Sequence, residues 1–330
     1  MKAKPLGLLG VAVLLLLAVT ASIVYGARPV PLQTVFDVLT TPGDTAEHTV
    51  VLDVRLPRTL LGLAVGTALG LAGALMQSLT RNPLADPGLL GVNQGAALGA
   101  TVALFALGIT DPAGYVWFAF AGAALAAVAV YALGAAGRAG ASPVRLTLAG
   151  VAFGMVCTAL CQALLRMDAQ VFDRMRFWLT GSLSAQTPDV LTRLAPFLIV
   201  GVVLGLSLAR PLNALALGDE AGAALGASLG RTRLLTAVAV TLLCGSATAL
   251  AGPLWFVGLA VPHAVRALVG PDLRWLLPYC ALAAPALLLA ADVAGRLIAR
   301  PGEVQVGIMC AALGAPILMF LARRGKRAAV

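Results

Sequence analysis

Ten apolar stretches separated by polar connections dominate the chain, over residues 6–27, 58–79, 89–108, 114–136, 144–166, 190–209, 233–251, 252–269, 275–297 and 305–322. Each is close to the roughly 20 residues that cross the hydrocarbon core of a bilayer. The pattern predicts an all-α polytopic membrane protein, with residues 1–330 forming one transmembrane domain. The second stretch is the most informative. From Leu60 to Leu79 no side chain is ionisable, and Gly62, Gly66, Gly70 and Gly73 fall on one side. Helices in lipid gain no hydrophobic energy by meeting, so close approach through small residues must supply the attraction. This helix is expected inside a packed bundle. The first stretch follows Lys2 and Lys4 as a signal peptide would, but its length and the nine spans behind it read as a first membrane helix. Gly252-Pro253 is the only turn signal between the seventh and eighth spans, and Pro262 should kink the eighth.

Three connections exceed turn length: 29–57, 167–189 and 210–232. Ten spans put both termini on one side of the membrane. With that side cytoplasmic, 14 of the 23 basic residues lie near inner ends, the bias that sets topology. The first two long connections are then outer and the third inner. The inner one, NALALGDEAGAALGASLG, is too charged to span and reads as short amphipathic helices punctuated by glycine. The turn from Arg81 to Gly88 carries Pro83, Pro87 and Gly88, which fix its shape.

Composition narrows the function. The chain is 60% hydrophobic and 11% charged, against about 25% charged in soluble domains. Its net charge of +9 is scattered between spans, which suits lipid head groups and not nucleic acid. The three lysines, Lys2, Lys4 and Lys326, sit in no glycine-rich phosphate loop, so energy from ATP must arrive through a partner. Cys157, Cys161, Cys244, Cys280 and Cys310 all lie in apolar runs; Cys157 and Cys161 are one helical turn apart, a spacing that could hold a metal, but no histidine or carboxylate lies in their span, and the cysteines read as packing residues. No His-Glu-x-x-His or Gly-x-Ser-x-Gly motif supports catalysis. His263, Arg266, Asp292 and Arg296 are ionisable residues within spans, functional candidates by position. Asp292 and Arg296, four apart, can neutralise each other; His263 is either a packed histidine or part of a pathway. The middles of the spans are otherwise nearly free of charge, unlike those of ion-coupled carriers.

Residues 55–99, with the RNPLADPG turn, resemble the FecCD-like permeases, the membrane subunits of ATP-binding-cassette importers for ferric siderophores, heme and vitamin B12. The resemblance continues through FWLTGSLS (Phe177 to Ser184), GDEAGAALG (Gly218 to Gly226), AGPLWFVGLAVPHAVR (Ala251 to Arg266), ADVAGR (Ala291 to Arg296) and GAP (Gly314 to Pro316). It implies the ten-helix type II importer permease fold in a bacterial cytoplasmic membrane, with both termini cytoplasmic and no bound cofactor. It implies as partners a second permease chain, identical or homologous, two cassette ATPases and an outer substrate-binding protein.

By the same resemblance Arg55, Arg58 and Arg296 form an outer basic rim that docks the binding protein. Segment 211–230, with Gly218, Asp219, Glu220, Gly222 and Gly226, couples to the ATPase; locally, the two acids also suit a first helical turn. Asn82, Leu84 and Ser142 contribute a cytoplasmic gate, although Asn82 also fits a turn cap. The bland fifth span offers Thr147, Thr158 and Gln162 to a pathway that grips cargo weakly. Arg174 and Arg176 in the outer segment either attract an anionic chelate or anchor at head groups. A ferric siderophore is the expected cargo, with heme and cobalamin as alternatives.

Overall fold

The computed structural model describes residues 3–26, 30–41, 43, 45–135, 143–184, 188–224 and 228–327. The described residues are helical with no strand. The helices are α1 (Ala3–Val24), α2 (Leu32–Thr40), α3 (Ala46–His48), α4 (Leu56–Thr80), α5 (Val92–Leu107), α6 (Pro112–Ala135), α7 (Pro143–Met167), α8 (Ala169–Leu179), α9 (Pro188–Ser207), α10 (Ala209–Leu215), α11 (Asp219–Ala224), α12 (Leu229–Ala251), α13 (Val257–Val269), α14 (Leu273–Ile298) and α15 (Val306–Arg327). A π-helical turn, Thr49–Arg55, runs straight into α4. Among the described residues seven helices are long and apolar enough to span, and Val92–Leu107, Val257–Val269 and Val306–Pro316 are shorter apolar helices. Together they match the ten spans read from the hydropathy pattern.

The core is built around α4, which packs against α14, α12, α13 and α9. The glycine stripe explains why so many helices reach it. Gly66 lies against the backbone of Pro285 in α14, and a methyl at Gly73 would overlap the Gly258 carbonyl of α13. Gly73 therefore sets the α4–α13 distance at backbone contact, the closest packing two helices can make. α1 packs on α14 but leaves Leu6, Leu9, Leu14, Leu16 and Leu17 exposed, as a helix at a lipid-facing edge does.

The eighth span departs from a continuous helix. Residues 252–256 are irregular and α13 begins only at Val257. Gly252 adopts φ 73°, and a side chain there would collide with the Trp178 carbonyl. The Ser182 N–H donates to Ala251 O (2.8 Å) and the Gly307 N–H to Gly181 O (3.1 Å). The end of the FWLTGSLS run, the α12–α13 break and the start of α15 thus share one junction. Backbone freed by the break is satisfied there by neighbouring segments, as lipid surroundings demand. Phe256, which opens α13, holds φ 71° without being glycine.

Candidate functional site

Three places gather the polar side chains. The first lies where α1 ends, α4 begins and α14 ends. The last carbonyls of a helix have no intrahelical donor, and here arginines supply it. Arg55 Nη1 donates to Ile23 O and Val24 O, both at 2.7 Å, Arg296 Nη1 to Ser22 O and Tyr25 O, both at 3.0 Å, and Arg300 Nη2 to Gly26 O at 2.7 Å. Cations at a helix C-terminus also complement its dipole. Asp292, fully buried, accepts from Arg58 Nη2 at 2.7 Å and pairs with Arg296 Nη2 at 2.9 Å. Arg58 Nη1 continues to Glu303 at 2.7 Å.

The Asp292–Arg296 pair follows from their spacing. The expectation of a basic rim is corrected. Arg55, Arg58 and Arg296 do converge, but they are 4%, 8% and 2% exposed and turned into the protein. The cause is the density of acceptors inside: the Asp292 carboxylate, Glu303 at the edge and four main-chain carbonyls. Glu303, Ser22 and Arg300 were missed. Glu303 carried a signal, since it is the only acid after Asp292.

The second place is the opposite end of α4. Arg81 takes φ 52° to stop the helix and sends Nη2 to Leu215 O in α10 at 2.7 Å. Asn82 Oδ1 accepts the Leu84 N–H (3.0 Å), so Asn82 caps the turn, and both residues are exposed. Asp86 Oδ1 accepts the Gly88 N–H at 2.7 Å. Pro87, behind it, packs on Gly258 of α13. Ser142 lies outside the described residues.

The third long connection forms short helices as expected, α10 and α11, with Gly218 between them at φ 112°. Asp219 begins α11, Glu220 is exposed, and Gly222 is buried against Ala214. Gly226 lies outside the described residues. Asn213 ties α10 to the start of α14, donating to Asp272 Oδ1 at 2.6 Å and accepting from Leu273 N at 3.0 Å. The Arg274 N–H, first among several donors and charges, holds the Asp272 carboxyl below its ordinary range.

The third place is a cavity of about 530 Å³ between α7, the 81–91 turn and the entry to α13. Thr158 lines it beside Asp86, Gln94, Trp255 and Phe256. Thr147 and Gln162 are on α7 but do not line it. Arg174 lines a separate cleft with Ser182 and Gln305. Arg176 pairs with Asp173 at 3.5 Å and stacks on Phe177, so of the two it is the one already engaged by its own helix. His263 Nδ1 is buried with no partner among the described residues. Among those residues no group of histidine, cysteine and carboxylate is arranged to hold a metal.

Residues 14–324 match the FecCD transport family. The chain belongs to that family. It is 48% identical over 319 residues to the ferric enterobactin transport system permease protein FepD of Escherichia coli K12, covering 96% of this chain and 95% of that protein. It is 41% identical over 314 residues to the probable siderophore transport system permease protein YfiZ of Bacillus subtilis, covering 95% and 94%. A solved inward-facing structure of a putative metal-chelate type ABC transporter superposes with a TM-score of 0.85 at 28% identity, covering 97% of this chain and 99% of that one. This FecCD chain is therefore an ABC-transporter permease and not an enzyme; ATP hydrolysis belongs to a separate subunit.

Proposed function

We propose that this FecCD permease carries a ferric siderophore across the bacterial cytoplasmic membrane, with both termini cytoplasmic and iron entering as cargo. The observation that carries the reading is the likeness to the ferric enterobactin permease along nearly the whole chain. A single chain supplies half of a passage, and a second permease chain completes it. Two cassette ATPases grip segment 211–230 on the inner side. The ties from Arg81 and Asn213 support this, because they connect α10 to both the α4–α5 turn and the start of α14. A push on α10 reaches the turn bearing Asn82 and Leu84, which we assign with Ser142 to the inner gate.

The binding protein docks at the end holding α8 and the 45–55 segment. Arg55, Arg58 and Arg296 brace that end from beneath, and the exposed Arg174 and Arg176 supply positive charge on its surface. Thr147 and Gln162 belong to the α7 wall of the passage. Deletion of the gene should impair growth on a specific ferric siderophore while heme and cobalamin use persist. Loss of heme or cobalamin uptake instead would replace the cargo and leave the transporter class intact.

A further inference from the structure

A further cleft, of about 460 Å³, opens where α9 turns into α10 and α14 begins. Leu206, Leu273, Leu277 and Pro278 give it apolar walls, and the exposed Arg210 and Arg274 line it from the two sides. Two other exposed arginines, Arg176 and Arg193, are matched by acids of their own helices, Asp173 at 3.5 Å and Asp189 at 2.8 Å. The guanidinium groups of this cleft have no hydrogen bond or salt bridge to a described residue. Asp272 stands next in the chain, but its carboxylate already accepts from Asn213 at 2.6 Å and from the Arg274 N–H at 3.0 Å. The charges of Arg274 and Lys4 both act on it. Three cations thus share this corner of the bundle with one carboxylate.

The cleft sits at the ends of two spans, 190–209 and 275–297, the level at which a bilayer carries its head groups. Along α9 above it, Ile199, Val203 and Leu206 are exposed at the spacing of one helical face. Leu206 belongs both to that stripe and to the cleft. Positive charge at head-group level, continued by an apolar track toward the middle of the span, is complementary to a phospholipid. No carboxylate lines the cleft among the described residues, so the ammonium of a zwitterionic head group would meet like charge and no partner. We propose that this cleft binds an anionic phospholipid, with Arg210 and Arg274 on its phosphate and the α9 stripe along an acyl chain. Arginine suits the role, because its fork of donors meets phosphate oxygens in pairs and its charge is permanent. Basic pockets between membrane helices take anionic head groups in this way. A lipid held here bridges α10 to the start of α14, beside the Asn213–Asp272 tie. The proposal needs only that the chain spans a membrane, and it is independent of the cargo.

The test uses the assembled transporter, permease with ATPase, washed in detergent and then offered equal amounts of dioleoyl phosphatidylglycerol and dioleoyl phosphatidylcholine. Mass spectrometry counts the lipids that each permease chain keeps. The parent should retain phosphatidylglycerol in preference. Arg210→Gln and Arg274→Gln should each lower that preference about fivefold, the worth of one basic side chain at an anionic lipid surface. Arg231→Gln removes an exposed cation at the start of α12, outside the cleft, and should leave the preference unchanged. Inorganic phosphate at millimolar concentration should not release the lipid from the parent. A parent without a preference overturns the proposal. An equal loss in Arg231→Gln does so too, since it reports diffuse surface charge, and so does release by inorganic phosphate, which reports a site for free anions. A preference that appears only after the ATPase is stripped away gives the two arginines to that subunit and overturns the lipid site.

Discussion

Arg58 and Glu303 meet at 2.7 Å although 245 positions separate them in the chain. Through Asp292 the same guanidinium is coupled to Arg296 and so to the end of α1. The two acids of this network differ in surroundings, and that difference decides what each contributes. Asp292 is fully buried between two arginines, whereas the Glu303 side chain is 34% exposed.

Asp292→Ala should therefore cost about 3–5 kcal/mol, because it strands buried cations without a partner. Glu303→Gln should cost less than about 1 kcal/mol, since a half-exposed pair is screened by water and salt. Thermal unfolding of the two purified variants in lipid nanodiscs checks the order. Equal midpoints would mean that Asp292 does not hold the network.

Gly73→Ala should lower the yield of folded protein sharply, as the added methyl meets the Gly258 backbone and neither helix can step aside. Gly10→Ala meets nothing within 4 Å and should be neutral or stabilising by up to about 1 kcal/mol. Size-exclusion profiles of the two variants in detergent separate a packing effect from a general intolerance of alanine.

Phe256→Gly and Phe256→Ala remove the same ring, but only glycine adopts φ 71° without strain. The glycine variant should be the more stable by about 1 kcal/mol. An alanine variant at least as stable would show that the backbone at the α12–α13 break relaxes.

Gly222→Leu should leave the permease folded and assembled yet strip its effect on ATP turnover, because α11 then loses its seat against Ala214. ATPase rates of the reconstituted complex, with and without binding protein, report the loss. Stimulation equal to that of the parent would remove α11 from the coupling path.

Asp272 gives a pH dependence whose sign follows from its partners. Its folded pKa lies below the ordinary carboxylate value, chiefly through the Arg274 N–H. The stabilisation is complete above the unfolded pKa of about 4 and is lost as pH falls through the lower folded value. Since the group is partly exposed to water, the effect is small. Melting curves between pH 5 and 3 should show a shallower decline in Asp272→Asn than in the parent.

The membrane helices were legible because span length and hydropathy are local properties, and Gly62, Gly66, Gly70 and Gly73 announced the packed face of α4 by spacing alone. The short helices α10 and α11 were legible too, from acids and glycines in a polar connection. The direction of Arg55, Arg58 and Arg296 was not. Apart from the local Asp292–Arg296 pair, their partners are main-chain carbonyls and, for Arg58, acids more than 200 residues away, and a carbonyl leaves no mark in a sequence. Nor was the left-handed backbone of Phe256, since nothing in an aromatic residue's identity announces a positive φ. Gln94 carries no mark in the sequence either, because only the fold buries its amide oxygen.

The C-terminal carbonyls of α1 take their donors from Arg55, Arg296 and Arg300. Arg55 follows its acceptor Ile23 by 32 positions, whereas Arg296 and Arg300 follow Ser22 and Gly26 by 274. The carbonyls taken by Arg55 can be satisfied early, while those of Ser22, Tyr25 and Gly26 find their arginine donors only once α14 and the residue pair after it are in place. The α1–α14 seam therefore joins segments that lie far apart in the order of synthesis.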